Sequence, residues 1–122
     1  MRQISSKRRN RQAEAKPFRD ALVATAGHCE RCHKTPKQGV RLCVHEISNG
    51  PLRQKSLDQP YAVLVLCWGC NGLATDKGRW SEAAQLRCLL ESRPDHYDLV
   101  AYNYLVRPNA PNRITQDDVD QS

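Results

Sequence analysis

The residues best suited to chemistry in this 122-residue chain are six cysteines and four histidines, and their spacing is not random. Cys29 and Cys32 in "CERC" and Cys67 and Cys70 in "CWGC" form the pattern C-x2-C-x34-C-x2-C. Two residues between thiolates let one turn of backbone present both sulfurs to a tetrahedral ion, and two such knuckles complete a closed four-sulfur shell. The pattern therefore predicts one structural Zn2+ on these four residues. A pair of disulfides is the competing reading. It needs an oxidising compartment that nothing in the chain implies, and a redox-active C-x-x-C does not ordinarily come twice.

Between the two knuckles lies "LCVHEISNGPLR", where His45 and Glu46 close a strand-like run. Both side chains can take a proton or bind a metal, and a carboxylate suits Mg2+ or Mn2+ better than an imidazole does. Cys43 falls on the same strand face as His45, and such a Cys-x-His pair could hold a metal, although packing beneath the zinc site is the simpler role. Cys88, in a helical stretch, reads as a buried structural thiol. His28 and His33 flank the first knuckle, where four cysteines already suffice, and His96 reads as a surface residue near a helix start.

Certain elements must position these residues. "KPFRDALVATAG" predicts a short helix opened by Pro17, with Phe18, Ala21, Leu22 and Thr25 on one face and Gly27 as its stop. After the knuckle "CERCHKTPKQG", "VRLCVHEI" alternates as a strand, with Val40, Leu42 and Val44 on one face and Arg41, Cys43 and His45 on the other. "SNGPLRQKSLDQPY" reads as a loop with Asp58 as a turn-maker, and "AVLVLC" as a second strand that delivers the chain to the second knuckle. Ala83, Leu86, Leu89 and Leu90 recur at helical spacing, so "SEAAQLRCLLES" is predicted helical and ended by Pro94. "DHYDLVAYNYLV" predicts another amphipathic helix, opened by Asp95, with Tyr97, Val100, Ala101 and Tyr104 on one side. "RPNAPNRITQDDVDQS" is expected to be extended or frayed. The division expected is a flexible basic arm over 1–16, a zinc-stapled domain over 17–92, and a C-terminal helix with an acidic tail over 93–122. The class is α+β.

Composition narrows the function. With 39% apolar residues, one Phe, two Trp and four Tyr, the core is thin, and small chains of this kind often add a metal or disulfides. No apolar run predicts a membrane helix, and "MRQISSKRRNRQAEAK" lacks the apolar centre of a secretory signal, so a cytoplasmic location with reduced thiols is expected. The net charge is +6, and residues 1–20 hold seven Lys or Arg against Glu14 and Asp20. An arm carrying Lys7, Arg8, Arg9 and Arg11 binds phosphate backbones by counterion release, and Arg41, Arg53 and Lys55 would extend that face. DNA is the expected partner, with RNA left open. A solvated tail is the plainer alternative, since charge runs also serve membranes and localisation. Trp68 and Trp80 could stack on a base or cover the zinc and the small core.

Basic arm, short helix, C-x-x-C, strand ending at His45, loop, strand, C-x-x-C and helix follow one another in an order that resembles the zinc-bearing HNH endonucleases, including small phage-type members. The likeness runs from "SKRRNRQ" to about "QLRCLLES". The resemblance implies a ββα-metal fold clamped by structural zinc. It places His45 on the first metal ligand and Glu46 where the family has its water-activating His. Asn71 stands at the position of the His after the second cysteine pair, and Thr75 at that of the last His. By this implication His45, Glu46 and Asn71 are the catalytic candidates, and His45, Asn71 and Asp76 would hold a catalytic Mg2+ or Mn2+. Three readings follow: a divergent metal-dependent endonuclease, a catalytically impaired descendant that binds DNA, and a zinc-stapled protein-interaction domain using the C-terminal helix and tail.

Overall fold

The computed structural model describes residues 6–48 and 53–122, with side chains from Arg9 in the first segment and from Gln54 in the second. Helix α1 (Ser6–Ala26) leads through the first knuckle to strand β1 (Leu42–Glu46). Then come a short turn of helix, α2 (Arg53–Ser56), strand β2 (Val63–Cys67) and helix α3 (Trp68–Ala74), followed by α4 (Glu82–Ser92), α5 (Leu99–Val106) and α6 (Gln116–Asp120). This is a mixed helical protein around a small antiparallel sheet. β1 and β2 pair with Leu42 opposite Cys67 and Glu46 opposite Val63.

Two strands alone are marginal in water, so both faces of this sheet must be covered. Leu42, Val44, Val63 and Val65 pack against Phe18, Leu22, Val23 and Ala26 of α1. On the opposite face Leu64 and Leu66 meet Leu86 and Leu89 of α4, Tyr102 and Val106 of α5 and Val119 of α6. Burial on both faces explains why "VLVLC" is apolar without alternation: every residue of β2 is buried. β1 is instead graded along its length, with Leu42, Cys43 and Val44 half-buried and His45 and Glu46 buried.

α1 is longer than the sequence suggests. It begins at Ser6, not Pro17, so the segment expected to be a flexible arm is, from residue 6, the first half of one helix; residues 1–5 lie outside the described residues. Pro17 has no N–H to give the Ala13 carbonyl, a fault that normally breaks a helix. Contacts made far along the chain hold it together. The Arg11 guanidinium donates to both oxygens of Asp58, at 2.8 and 2.5 Å, and its Nε donates to the Gln54 carbonyl at 3.0 Å. Arg19 donates to the carbonyls of Leu57 and Val44 at 3.1 and 2.8 Å.

Arg11 holds the Asp58 carboxyl below the ordinary carboxylate range through the hydrogen bonds and charge of its guanidinium, against a smaller cost of burial. The stability this confers is present above pH ~4 and is lost as pH falls through the lowered folded value. For a pair of side chains 26% and 28% exposed it is about 1 kcal/mol. Asp58→Asn is expected to speed amide exchange over residues 9–16 while leaving the protection of β2 unchanged. Equal protection in the mutant would show that the pair does not hold the helix.

The C-terminal third departs from expectation twice. α5 opens at Asp98, whose side chain accepts the Ala101 N–H at 3.0 Å, because Pro94–His96 is spent on a turn. Its buried face is Tyr102, Asn103 and Val106; Val100 and Tyr104 are 81% and 75% exposed. "LVAYNYLV" is apolar almost all round, so periodicity cannot choose a face; polar anchors do. The Tyr102 hydroxyl donates to Glu82, and the Asn103 amide pairs with both backbone groups of Ile114, at 2.8 and 3.1 Å.

The tail is not frayed. Thr115 and Asp118 form a reciprocal capping box that starts α6, and Val119 is fully buried against the main core. Residues 93–122 therefore share the core of the segment before them. No helix among the described residues is long and apolar enough to cross a membrane.

Candidate functional site

The four knuckle cysteines converge. Gly27, at φ 69°, closes α1 with its N–H on the Val23 carbonyl and turns the chain into the first knuckle. There Cys29 N–H donates to the Lys34 carbonyl at 2.9 Å, and His33 N–H to the Cys29 carbonyl at 2.8 Å. His33 takes a left-handed conformation, φ 68°, to close the loop. Cys67 ends β2 and Cys70 lies in the first turn of α3, so the second pair occupies the strand-to-helix junction.

The four Sγ atoms lie within 4.8 Å of one another, and Cys32 Sγ is 3.8 Å from Cys67 Sγ. A tetrahedral ion with sulfur bonds of ~2.3 Å has sulfur–sulfur edges of about 3.8 Å. The donor set therefore fits a metal ion such as zinc. Burial raises the Cys29 thiol, but backbone N–H groups of Cys32, Cys67 and Arg31 outweigh it and bring it to about 7; burial pushes Cys70 up to about 12, opposed by Arg31. Arg31 reaches Cys70 Sγ at 3.6 Å.

The other candidates near this cluster have different work. His28 gives its Nδ1–H to the Ala26 carbonyl at 2.7 Å and stacks on His33. Cys43 and Cys88 donate to the carbonyls of Leu66 and Glu30, both at 3.4 Å. Burial raises the Cys43 thiol and pushes Cys88 up to about 12, keeping both protonated.

Glu30, between the first two cysteines, was not singled out by sequence. Its Oε1 accepts the Val65 N–H at 2.7 Å and its own N–H donates to the Val65 carbonyl at 2.8 Å. Arg93, just beyond α4, donates to Glu30 at 2.6 and 3.2 Å and to the Val63 carbonyl at 2.6 Å. This buried pair ties the first knuckle to β2 and to the end of α4. No spacing rule predicts it.

His45 is buried, with its ring beneath α4. Gln85, fully buried, donates both amide hydrogens to the carbonyls of Ala74 and Trp80, at 2.9 and 3.0 Å. Carbonyls only accept, so the Gln85 oxygen is the atom that faces His45 Nε2, at 2.9 Å, and Nε2 must carry the hydrogen. In neutral His45 the lone pair therefore lies on Nδ1. Burial lowers the His45 pKa below its usual 6.5, and the nearby Lys77 cation adds to this, against the opposing effects of Gln85, Glu46 and Asn71. Gln85, too, was invisible in the sequence, where it reads as one polar residue on a helix.

A cleft of about 340 Å³ opens over His45, lined also by Cys43, Trp68, Asn71 and Thr75. The structure thus brings together His45, Asn71 and Thr75. Glu46 touches the cleft, but its carboxylate belongs to the sheet face under α1, where Arg19 pairs with it at 3.4 Å. Asp76 is exposed and accepts the Gly78 N–H at 3.0 Å, holding its own turn. One imidazole and one amide are a poor donor set for Mg2+ or Mn2+, which favour carboxylate oxygens.

Of the expected nucleic-acid contacts, Arg9, Arg41 and Lys55 are exposed, while Arg11 is engaged by Asp58. The side chains of Lys7, Arg8 and Arg53 lie outside those described. Trp80 packs on the core with Arg31 over its ring at 5.3 Å. Trp68 is 62% exposed, with Arg41 6.0 Å from its ring centre. No family model matches the chain, and neither a curated protein nor a solved structure matches it.

Proposed function

We propose that the chain is a zinc-stapled, HNH-like module that binds DNA and whose hydrolytic centre has been reduced to His45 and Asn71. One observation carries this reading. The helix after the second knuckle lays Asn71 and Thr75 beside His45 in a single cleft, the arrangement implied by the resemblance, yet the carboxylate at the base position is paired with Arg19 on the other face of the sheet. A carboxylate held by a guanidinium is a poor acceptor for a water proton. The exposed cations Arg9, Arg41 and Lys55 support phosphate contact.

A working nuclease is the second reading, favoured by the neutral His45 ring with its lone pair fixed on Nδ1. A supercoiled-plasmid assay with Mg2+, Mn2+ or neither, run beside His45→Ala, separates the two. The expected result is DNA binding that weakens steeply with salt and no nicking above the mutant's background. Metal-dependent nicking lost in His45→Ala would establish the nuclease instead.

A further inference from the structure

Trp68 is the one tryptophan of the two that the core leaves open, and Lys34 and Arg41 line the cleft beside it. From Glu30 to Glu46 the chain has no acidic residue between, but four cations, Arg31, Lys34, Lys37 and Arg41, all exposed. Two clefts meet at the Trp68 ring. One, of about 590 Å³, is lined by Lys34, Gly39, Val40 and Arg41; the other is the His45 and Asn71 cleft. Gly39, which lines the first cleft, stands at φ 88° with nothing within 4 Å of where a Cβ would be.

We infer that Trp68 is a stacking platform for one unpaired base of a nucleic-acid strand, whose flanking phosphates lie on Lys34 and Arg41 and whose path leads toward the His45 cleft. This rests on the DNA-binding reading above and narrows it to a strand with an accessible base. An indole face offers stacking to any base, but only a base freed from its neighbours offers a face in return. The first cleft holds Lys34 and Arg41 and no carboxylate, which suits the phosphodiester backbone beside that base, while Glu46 at the margin of the second is paired with Arg19.

The test is fluorescence anisotropy of a labelled oligothymidylate and of a matched duplex, with zinc-loaded protein at one fixed salt and no other divalent metal. Trp68→Ala is expected to weaken single-strand binding about 5- to 100-fold and duplex binding little, with Trp68→Phe retaining most of the affinity. Trp68 is exposed, so an unchanged melting curve verifies that the variants are folded. Lys34→Ala with Arg41→Ala should weaken both ligands and flatten the salt dependence.

Wild-type affinity in Trp68→Ala would overturn the inference, as would equal competition by polyglutamate, which would reduce the site to charge alone. If the wild type fails to bind duplex but binds the single strand through Trp68, the stacking site stands and the duplex-binding reading falls. If duplex binds and the single strand does not, the stacking site falls and the broader reading stands.

Discussion

Chelating the ion from Cys29, Cys32, Cys67 and Cys70 is expected to unfold the chain. The shell joins the end of α1, the end of β2 and the start of α3, and Cys29, Cys67 and Cys70 are themselves members of the main core. Structural zinc in small domains contributes about 10–16 kcal/mol, against a net stability of roughly 5–15 kcal/mol for a domain. Without the ion, a two-stranded sheet and a seven-residue α3 have too little of their own to remain in place. Metal analysis should give one zinc per chain, and chelation should abolish the cooperative melting transition and most far-UV dichroism. Cys29→Ser should reproduce the effect without chelator. Because the ligands bind as thiolates, affinity should fall on acidification as protons compete for the sulfurs. A chelated protein with an unchanged melting curve would remove the stapling argument.

The second large effect is expected at Arg93. Its partner Glu30 has a side chain only 2% exposed, and removal of the guanidinium leaves a carboxylate stranded in the interior with the Val63 carbonyl also losing a donor. Breaking a buried pair from one side costs about 3–5 kcal/mol. Arg93→Ala should therefore lower the urea midpoint strongly in zinc-loaded protein, while the double mutant Arg93→Ala with Glu30→Ala should cost less than the sum of the two single changes. Additive losses would show that each residue acts through separate contacts.

The parts legible in the sequence are those set by local chemistry. Two C-x-x-C pairs, an uninterrupted apolar run and the helical spacing of Ala83, Leu86, Leu89 and Leu90 each carry their own instruction, and the four-cysteine cluster, β2 and α4 follow them. The parts missed depend on partners distant in sequence. α1 continues through Pro17 because Arg11 finds Asp58, and α5 shows Val100 to solvent because Tyr102 and Asn103 find Glu82 and Ile114. α6 needs only its capping box to start, but the burial of Val119 needs a face of α4 that no local pattern reveals. At the candidate site His45 and Asn71 line one cleft, and the tautomer set by Gln85 and the pairing of Glu46 with Arg19 arise only in three dimensions.

The contacts along β2 also govern how copies of the chain behave toward one another. A sheet of two strands has two open margins, and each is an invitation to add a third strand. Glu30 occupies both outward backbone groups of Val65, Arg93 takes the Val63 carbonyl, and on β1 Arg19 takes that of Val44. "VLVLC" is uncharged, apolar throughout and free of proline, the composition from which intermolecular stacks of strands grow. The Glu30 and Arg93 pair thus doubles as a guard against self-templated aggregation, because it occupies backbone groups of β2 that a third strand would need.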